Sequence, residues 1–242
     1  MKAAIVEEYG SLAVRDVPDP RPGDYQVLCE LLYGATCTGT DTHLLQGHAP
    51  FSGWVRLPFI LGHESVGRVV ELGPRVRNFR PGDLVTRVGA PGSDTVHIGW
   101  GGFAEFGIAT DHWAMAADGR PQAEWAGSRV NQVVPAGIDP RVAPMLTTWR
   151  ETRSYLQRLG VGAGASVLIV GSGGNGLSFA AHAALLGATT VAMAGAAPLA
   201  EAARAQAGVT AYVDYKRPDL AESLRQLVPG GFDYIVDAVG RA

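Results

Sequence analysis

The sequence predicts a two-domain α/β fold, with a β-rich domain over residues 1–140 and a doubly wound parallel-sheet domain over residues 141–242. Three observations carry this. As far as Asp139 the apolar runs are short and separated by close-set turn clusters, the pattern of a small barrel or sandwich. Beyond it, strand-like and helix-like runs alternate, which implies parallel strands joined by crossover helices. Between the first such strand and its helix lies Gly171-Ser172-Gly173-Gly174-Asn175-Gly176, a G-x-G-x-x-G loop.

In order, residues 2–6, 13–17 and 26–33 read as strands, with the Pro- and Asp-rich segment 18–24 as a turn between the second and third. Residues 65–72 and 83–88 continue the pattern around Pro81-Gly82, and the segment 101–106 is expected to form the start of a further strand. Residues 142–159 have helical spacing and 167–170 form an apolar strand. Helices are expected over 177–186, 199–207 and 220–227, alternating with strands over 190–194, 211–213 and 232–239.

A net charge of −3 with no basic run argues against a nucleic-acid partner. Two cysteines, Cys29 and Cys37, cannot build a disulfide framework, so a reducing, cytoplasmic setting is the expectation. The N-terminus is not a signal peptide, because its apolar run is short and Glu7-Glu8 follow at once. Residues 177–200 lack formal charge, but Gly187, Gly195 and Pro198 break them into a helix and a buried strand, so no membrane partner is expected.

Two motifs carry chemistry. In a strand–loop–helix setting the glycines of 171–176 permit a tight turn and close approach of a pyrophosphate, and the helix N-terminus favours its charge. The bland alternative is a glycine-rich turn without ligand. The second motif gathers Cys37, Asp41 and His43 with Gly62-His63-Glu64. His63 alone reads as a core histidine and Cys37 alone as a small buried hydrophobe. Together, Cys, His and Glu suit a zinc ion that keeps one position open for substrate.

With these segments in this order, together with Gly101-Gly102-Phe103-Ala104-Glu105-Phe106, the whole chain resembles the zinc-type medium-chain dehydrogenase/reductase family of alcohol and polyol dehydrogenases. The resemblance implies a GroES-like β domain carrying zinc, then a Rossmann domain binding NAD(P), with the active site in the cleft between them. Cys37 and His63 would be zinc ligands, and Glu64 either a direct ligand or a carboxylate close behind the metal. Thr40 would take the proton of the substrate alcohol, and His43 would relay it to solvent. Asp41 would orient the zinc-bound imidazole. The implied reaction passes a hydride between nicotinamide and a secondary alcohol, polyol or sugar hydroxyl, with a slight lean towards polyols or sugars. A homodimer or homotetramer is implied for a complete chain. Two alternatives stand beside this reading, a zinc-free quinone or enoyl reductase of the same fold and a non-catalytic dinucleotide-binding or interaction protein.

The sequence departs from the family pattern in four places. Thr38 and Gly39 both separate Cys37 from Thr40, one residue more than usual, which is expected to bulge the loop. Met145-Leu146-Thr147-Thr148, where many members supply a further ligand, offers no thiol or carboxylate. No four-cysteine structural-zinc lobe is present, so a single catalytic zinc is expected. The chain stops at Ala242, after the expected fourth Rossmann strand, and so resembles an incomplete dehydrogenase.

NADP is favoured over NAD. The second Rossmann strand ends at Gly195, where an NAD-selective domain carries an acid roughly 20 residues after the glycine loop, and the missing carboxylate leaves room for a 2′-phosphate. Tyr215 and Lys216 resemble residues that flank this phosphate in NADP-using relatives. Phe51, Trp54, Trp100 and Phe103 read either as lining of a substrate cleft or as core.

Overall fold

The computed structural model describes residues 1–51 and 53–239. Gly240, Arg241 and Ala242, which the sequence reading places after the fourth Rossmann strand, lie outside the described residues. Two compact units meet between Thr147 and Thr148. The sequence boundary at 140/141 lies ahead of the 3₁₀ turn Ala143–Met145, which belongs with the first unit because buried Ala143 packs with Val66 and Val134.

The first unit contains strands β1 (Lys2–Glu8), β2 (Ser11–Asp16) and β3 (Gln26–Ala35), helix α1 (Thr40–Gln46), and strands β4 (Phe59–Ile60), β5 (Glu64–Leu72), β6 (Leu84–Thr86), β7 (His97–Ile98) and β8 (Phe106–Thr110). Helices α2 (His112–Ala117) and α3 (Gln122–Trp125) follow. The strands form two four-stranded sheets, ordered β2-β1-β4-β7 and β6-β5-β3-β8. Alternation along β3 and β5 turns Val27, Cys29 and Val69 onto Phe79, Val85, Val88 and Ala109, the largest core of this unit. Burial pushes the Cys29 thiol up to about 12, so this cysteine behaves as a small hydrophobe.

Helices α1, α2 and α3 are too short to show helical periodicity, and the sequence reading does not anticipate them. The strand expected from Gly101 starts only at Phe106. Gly101 has φ +72°, and a Cβ there would strike the Ala90 backbone, so residues 101–105 run as a tightly packed loop.

The second unit carries most of helix α4 (Leu146–Leu159), then β9 (Ser166–Val170), α5 (Gly174–Leu185), β10 (Thr190–Gly195), α6 (Ala200–Ala207), β11 (Ala211–Asp214), α7 (Leu220–Leu227) and β12 (Tyr234–Asp237). All four strands are parallel, in the order β11-β10-β9-β12. Such strands are covered on both faces: Val167, Ile169, Val191 and Met193 are buried on one and Leu168, Ala192 and Ala194 on the other. The Thr152 hydroxyl, 2.7 Å from Ser178 Oγ and 3.0 Å from His182 Nδ1, pins α4 to α5. The uncharged stretch 177–200 resolves into α5, β10 and a short 3₁₀ turn, and no helix among the described residues is long and apolar enough to cross a membrane.

Candidate active site

Strand pairing brings the first motif together. Ala35 at the end of β3 lies opposite Glu64 at the start of β5 in the antiparallel register. The segment leaving β3 therefore runs beside the segment entering β5, and Cys37 meets His63. Gly62 makes this turn with φ +100°, under the ring of Phe103, and the Gly102 N–H donates to the Gly62 carbonyl at 2.7 Å. The Gly101–Phe103 loop thus clamps the backbone that presents His63.

Gly39 absorbs the additional residue of the loop. It stands at the N-cap of α1, and its ideal Cβ position is 3.8 Å from Cys37 Sγ. The Cys37 sulfur still reaches His63, and it also accepts from the backbone N–H groups of Gly39 and Thr40 and from the Thr40 hydroxyl. Asp41, buried in the first turn of α1, ties the arrangement together. One carboxylate oxygen accepts from the Cys37 N–H at 2.9 Å and the other from His63 Nδ1 at 2.9 Å.

These contacts set the charges. The His63 hydrogen bond holds the Cys37 thiol below its ordinary value against the opposing effect of burial, and the loop N–H groups add to it. For His63, burial disfavours the charged ring, but Asp41 and Cys37 outweigh it and push the imidazole up to about 9. At neutral pH the His63 ring is therefore protonated, beside a thiol whose proton is held more loosely than usual.

Thiolate sulfur and imidazole nitrogen are a zinc-type donor pair, and Asp41 on Nδ1 directs Nε2 towards the sulfur. Two donors of a shell are thus in place. Glu64 follows His63 and is buried at the start of β5. Among the described residues, however, no group of three His, Cys, Asp or Glu side chains converges as a metal shell. The Ala143–Met145 turn packs on β3 and β5, and the Met145–Thr148 segment after it supplies no such donor; its Thr147 hydroxyl is buried without a hydrogen-bond partner among the described residues.

His43 lies one turn after Thr40 on α1, and its Nδ1 donates to the Ala49 carbonyl at 2.9 Å, which leaves Nε2 as the basic nitrogen. From His43 a run of rings leads back to His63. Phe51 is 6.4 Å from His43, Trp100 is 6.3 Å from Phe51, and Trp100 is 5.1 Å from His63. Trp54 packs on Trp100 at 4.4 Å and is half exposed. Trp100 holds φ +70°, a left-handed conformation that side chains rarely adopt. Of the four aromatics named from sequence, Phe51, Trp54 and Trp100 gather beside His63, whereas Phe103 covers Gly34 and Gly62.

In the second unit the glycine loop connects β9 to α5. Gly171 has φ +107°, and a Cβ on Gly176 would strike the Gly171 carbonyl. Gly173, Gly174 and Asn175 are exposed at the start of α5, where N–H groups lack partners within the helix. Gly195 ends β10 opposite Asp214, and the Tyr215 N–H donates to its carbonyl at 3.1 Å. The exposed Tyr215 ring lies 5.8 Å from Lys216 Nζ. The Cβ direction of Gly195 is filled by neighbouring atoms. A Cβ there would fall on the Tyr212 hydroxyl and 2.5 Å from Ser172 Cβ. Neither Ser172 nor Tyr212 was singled out by the sequence, since a mid-strand tyrosine and a loop serine carry no signal of their own.

Residues 23–119 match the alcohol dehydrogenase GroES-like domain. An alcohol dehydrogenase from Rhizobium meliloti (strain 1021) is 31% identical over 99% of this chain and 70% of its own length. The chain belongs to the zinc-type medium-chain dehydrogenase/reductase family. A sorbitol dehydrogenase from Halalkalibacterium halodurans is 28% identical, again over 99% of this chain and 70% of the relative. Among solved structures, a zinc-binding dehydrogenase from Sinorhizobium meliloti 1021 bound to NADP matches with a TM-score of 0.80 and 29% identity, covering 100% of this chain and 70% of the other. The fold of this medium-chain protein is therefore a GroES-like domain followed by a Rossmann-type parallel sheet, and it spans about 70% of the length of these relatives.

Proposed function

We propose that this medium-chain protein transfers a hydride between a secondary alcohol, polyol or sugar hydroxyl and a nicotinamide dinucleotide, NADP in preference to NAD, with one zinc ion. The observation that carries the reading is the line Asp41–His63–Cys37, with the Thr40 hydroxyl on the same sulfur. Cys37 and His63 would hold the metal, with Glu64 or water completing it. Zinc, when bound, supplies Lewis acidity at the substrate oxygen. Thr40 takes the hydroxyl proton, and His43 receives it at Nε2 and releases it to solvent. Asp41 keeps His63 in the tautomer that presents Nε2.

Gly171, Gly173, Gly174, Asn175 and Gly176 would cradle the pyrophosphate at the start of α5, and Gly195, Tyr215 and Lys216 would meet the adenosine ribose. The NADP-bound relative and the sorbitol dehydrogenase support this choice of cofactor and substrate class. Assembly into a homodimer or homotetramer belongs to the same proposal.

A second reading, a zinc-free quinone or enoyl reductase, is favoured by one observation, the lack of a three-donor group among the described residues. Metal analysis after zinc supplementation separates the two. One equivalent of zinc, lost in Cys37→Ser, and turnover of secondary alcohols or polyols with NADP are expected. Zinc-free protein that reduces quinones or enoyl substrates would establish the second reading.

A further inference from the structure

The turn after β10 is clamped from both sides through one peptide. The Ala196 N–H donates to Ser172 Oγ at 3.0 Å, and the Ala196 carbonyl accepts from the Tyr212 hydroxyl at 2.7 Å. Ser172 lies inside the glycine loop and is buried. Tyr212 stands on β11 opposite Met193, and its ring reaches along β10 to cover Gly195. Arg204 stacks on that ring, its guanidinium 5.9 Å from the centroid.

Two consequences follow for a dinucleotide. The loop for its pyrophosphate is joined to the end of β10 by the Gly171 N–H on the Ala194 carbonyl at 2.8 Å and to the turn for its adenosine ribose by the Ser172 hydroxyl, so a displacement of one is passed to the other. The place of a ribose-reading carboxylate is also filled. A Cβ at residue 195 would lie 2.5 Å from Ser172 Cβ and 2.6 Å from its Oγ, as well as on the Tyr212 hydroxyl. Tyrosine can swing its far end aside, but Ser172 Cβ moves only with the glycine loop.

We propose that Ser172 and Tyr212 are positioning residues that set cofactor preference: they lock the Ala196 peptide and exclude any side chain at residue 195. This rests on the reading of the second unit as a dinucleotide site. The 2′-position of the ribose is then met by backbone and by Tyr215 and Lys216, and an acid cannot be placed at 195 without pushing the pyrophosphate loop out of register.

The test is the pair of dissociation constants for NAD and NADP, titrated on the full chain alongside thermal unfolding. Ser172→Gly and Tyr212→Phe should each weaken both nucleotides several-fold with little change in their ratio. Gly195→Asp alone should weaken both by about tenfold or more while the ratio stays within about threefold. Adding Ser172→Gly and Tyr212→Phe to Gly195→Asp should open the site and move the ratio towards NAD by about thirtyfold or more. Should Gly195→Asp not fold, Gly195→Ala carries the same Cβ, and its loss of affinity should be relieved by the same two changes. A shift of the ratio in Gly195→Asp alone as large as in the triple variant would overturn the proposal, as would single variants with parental affinities. Parent protein that binds neither nucleotide would instead overturn the dinucleotide reading itself.

Discussion

Asp41 accepts a hydrogen bond from His63 Nδ1 at 2.9 Å, and its second oxygen holds the backbone N–H of Cys37 at the same distance. One buried carboxylate therefore fixes both proposed metal ligands, the ring through its tautomer and the thiolate through its loop. Asn in its place keeps the size but has one acceptor oxygen for two donors. Either the Cys37 N–H loses its partner, or His63 Nδ1 faces an amide donor and must accept, moving the proton to Nε2, the nitrogen that faces Cys37. Asp41→Asn is expected to lower zinc affinity about 10–100-fold. Competition with a chromophoric chelator measures this; an unchanged affinity would remove Asp41 from the positioning role.

Zinc must compete with the proton that His63 retains up to about 9. Raising the pH removes this competitor, so affinity should climb from pH 6.5 and level off above about 9. Cys37, held below its ordinary value, adds its own proton release only where its thiol is still protonated. His63 should therefore contribute close to one proton per zinc, about tenfold in affinity per pH unit. Zinc titrations across this range, in buffers of differing ionisation enthalpy, read the slope and the proton release together. A flat profile would contradict the protonated state of His63.

The β domain also depends on a carboxylate outside this cluster. Asp111, fully buried, caps α2 by accepting from the Ala114 N–H and also binds Arg77 N, Asn78 N and Asn78 Nδ2, all within 2.9 Å. Burial raises its proton affinity, but these donors prevail and hold the carboxyl below its usual range. Its stabilising contribution is thus present above the unfolded carboxylate value and fades as pH falls through the lower folded one. Asp111→Ala orphans several donors at once and should cost about 3 kcal/mol or more. Urea unfolding at pH 7 is the check, and a loss under about 1 kcal/mol would show that water replaces the carboxylate.

Sequence and structure agree best where a single physical signal dominates. In the second unit, β9 and the alternation after it are apolar enough to be read directly, and residues 220–227 match α7 at both ends. Cys37 and His63 were legible as a pair because ligand-type side chains rarely gather without cause. Their meeting depends on the β3–β5 register, Ala35 opposite Glu64, which no local pattern specifies. Trp100 beside His63 and Tyr212 over Gly195 were not legible, because each contact is made by a side chain reaching across to another element. That the Cβ direction of Gly195 is filled was not legible for the same reason. A glycine shows that a side chain is missing, not whose atoms fill the space.

Trp100 offers a last test, of both backbone strain and substrate contact. Its φ of +70° costs any residue with a Cβ about 1 kcal/mol relative to glycine, while its ring lies against His63 and Trp54. Trp100→Gly should therefore be more stable than Trp100→Ala by about 1 kcal/mol, although both lose the ring contacts. Trp54, half exposed, can be removed with a stability change within about 1 kcal/mol. If the rings between His43 and His63 line the alcohol site, Trp54→Ala should raise KM several-fold with zinc content unchanged and kcat little altered. An unchanged KM across alcohols of different size would assign Trp54 and Trp100 to packing alone. Equal stability of the two Trp100 variants would show that the left-handed turn carries no strain.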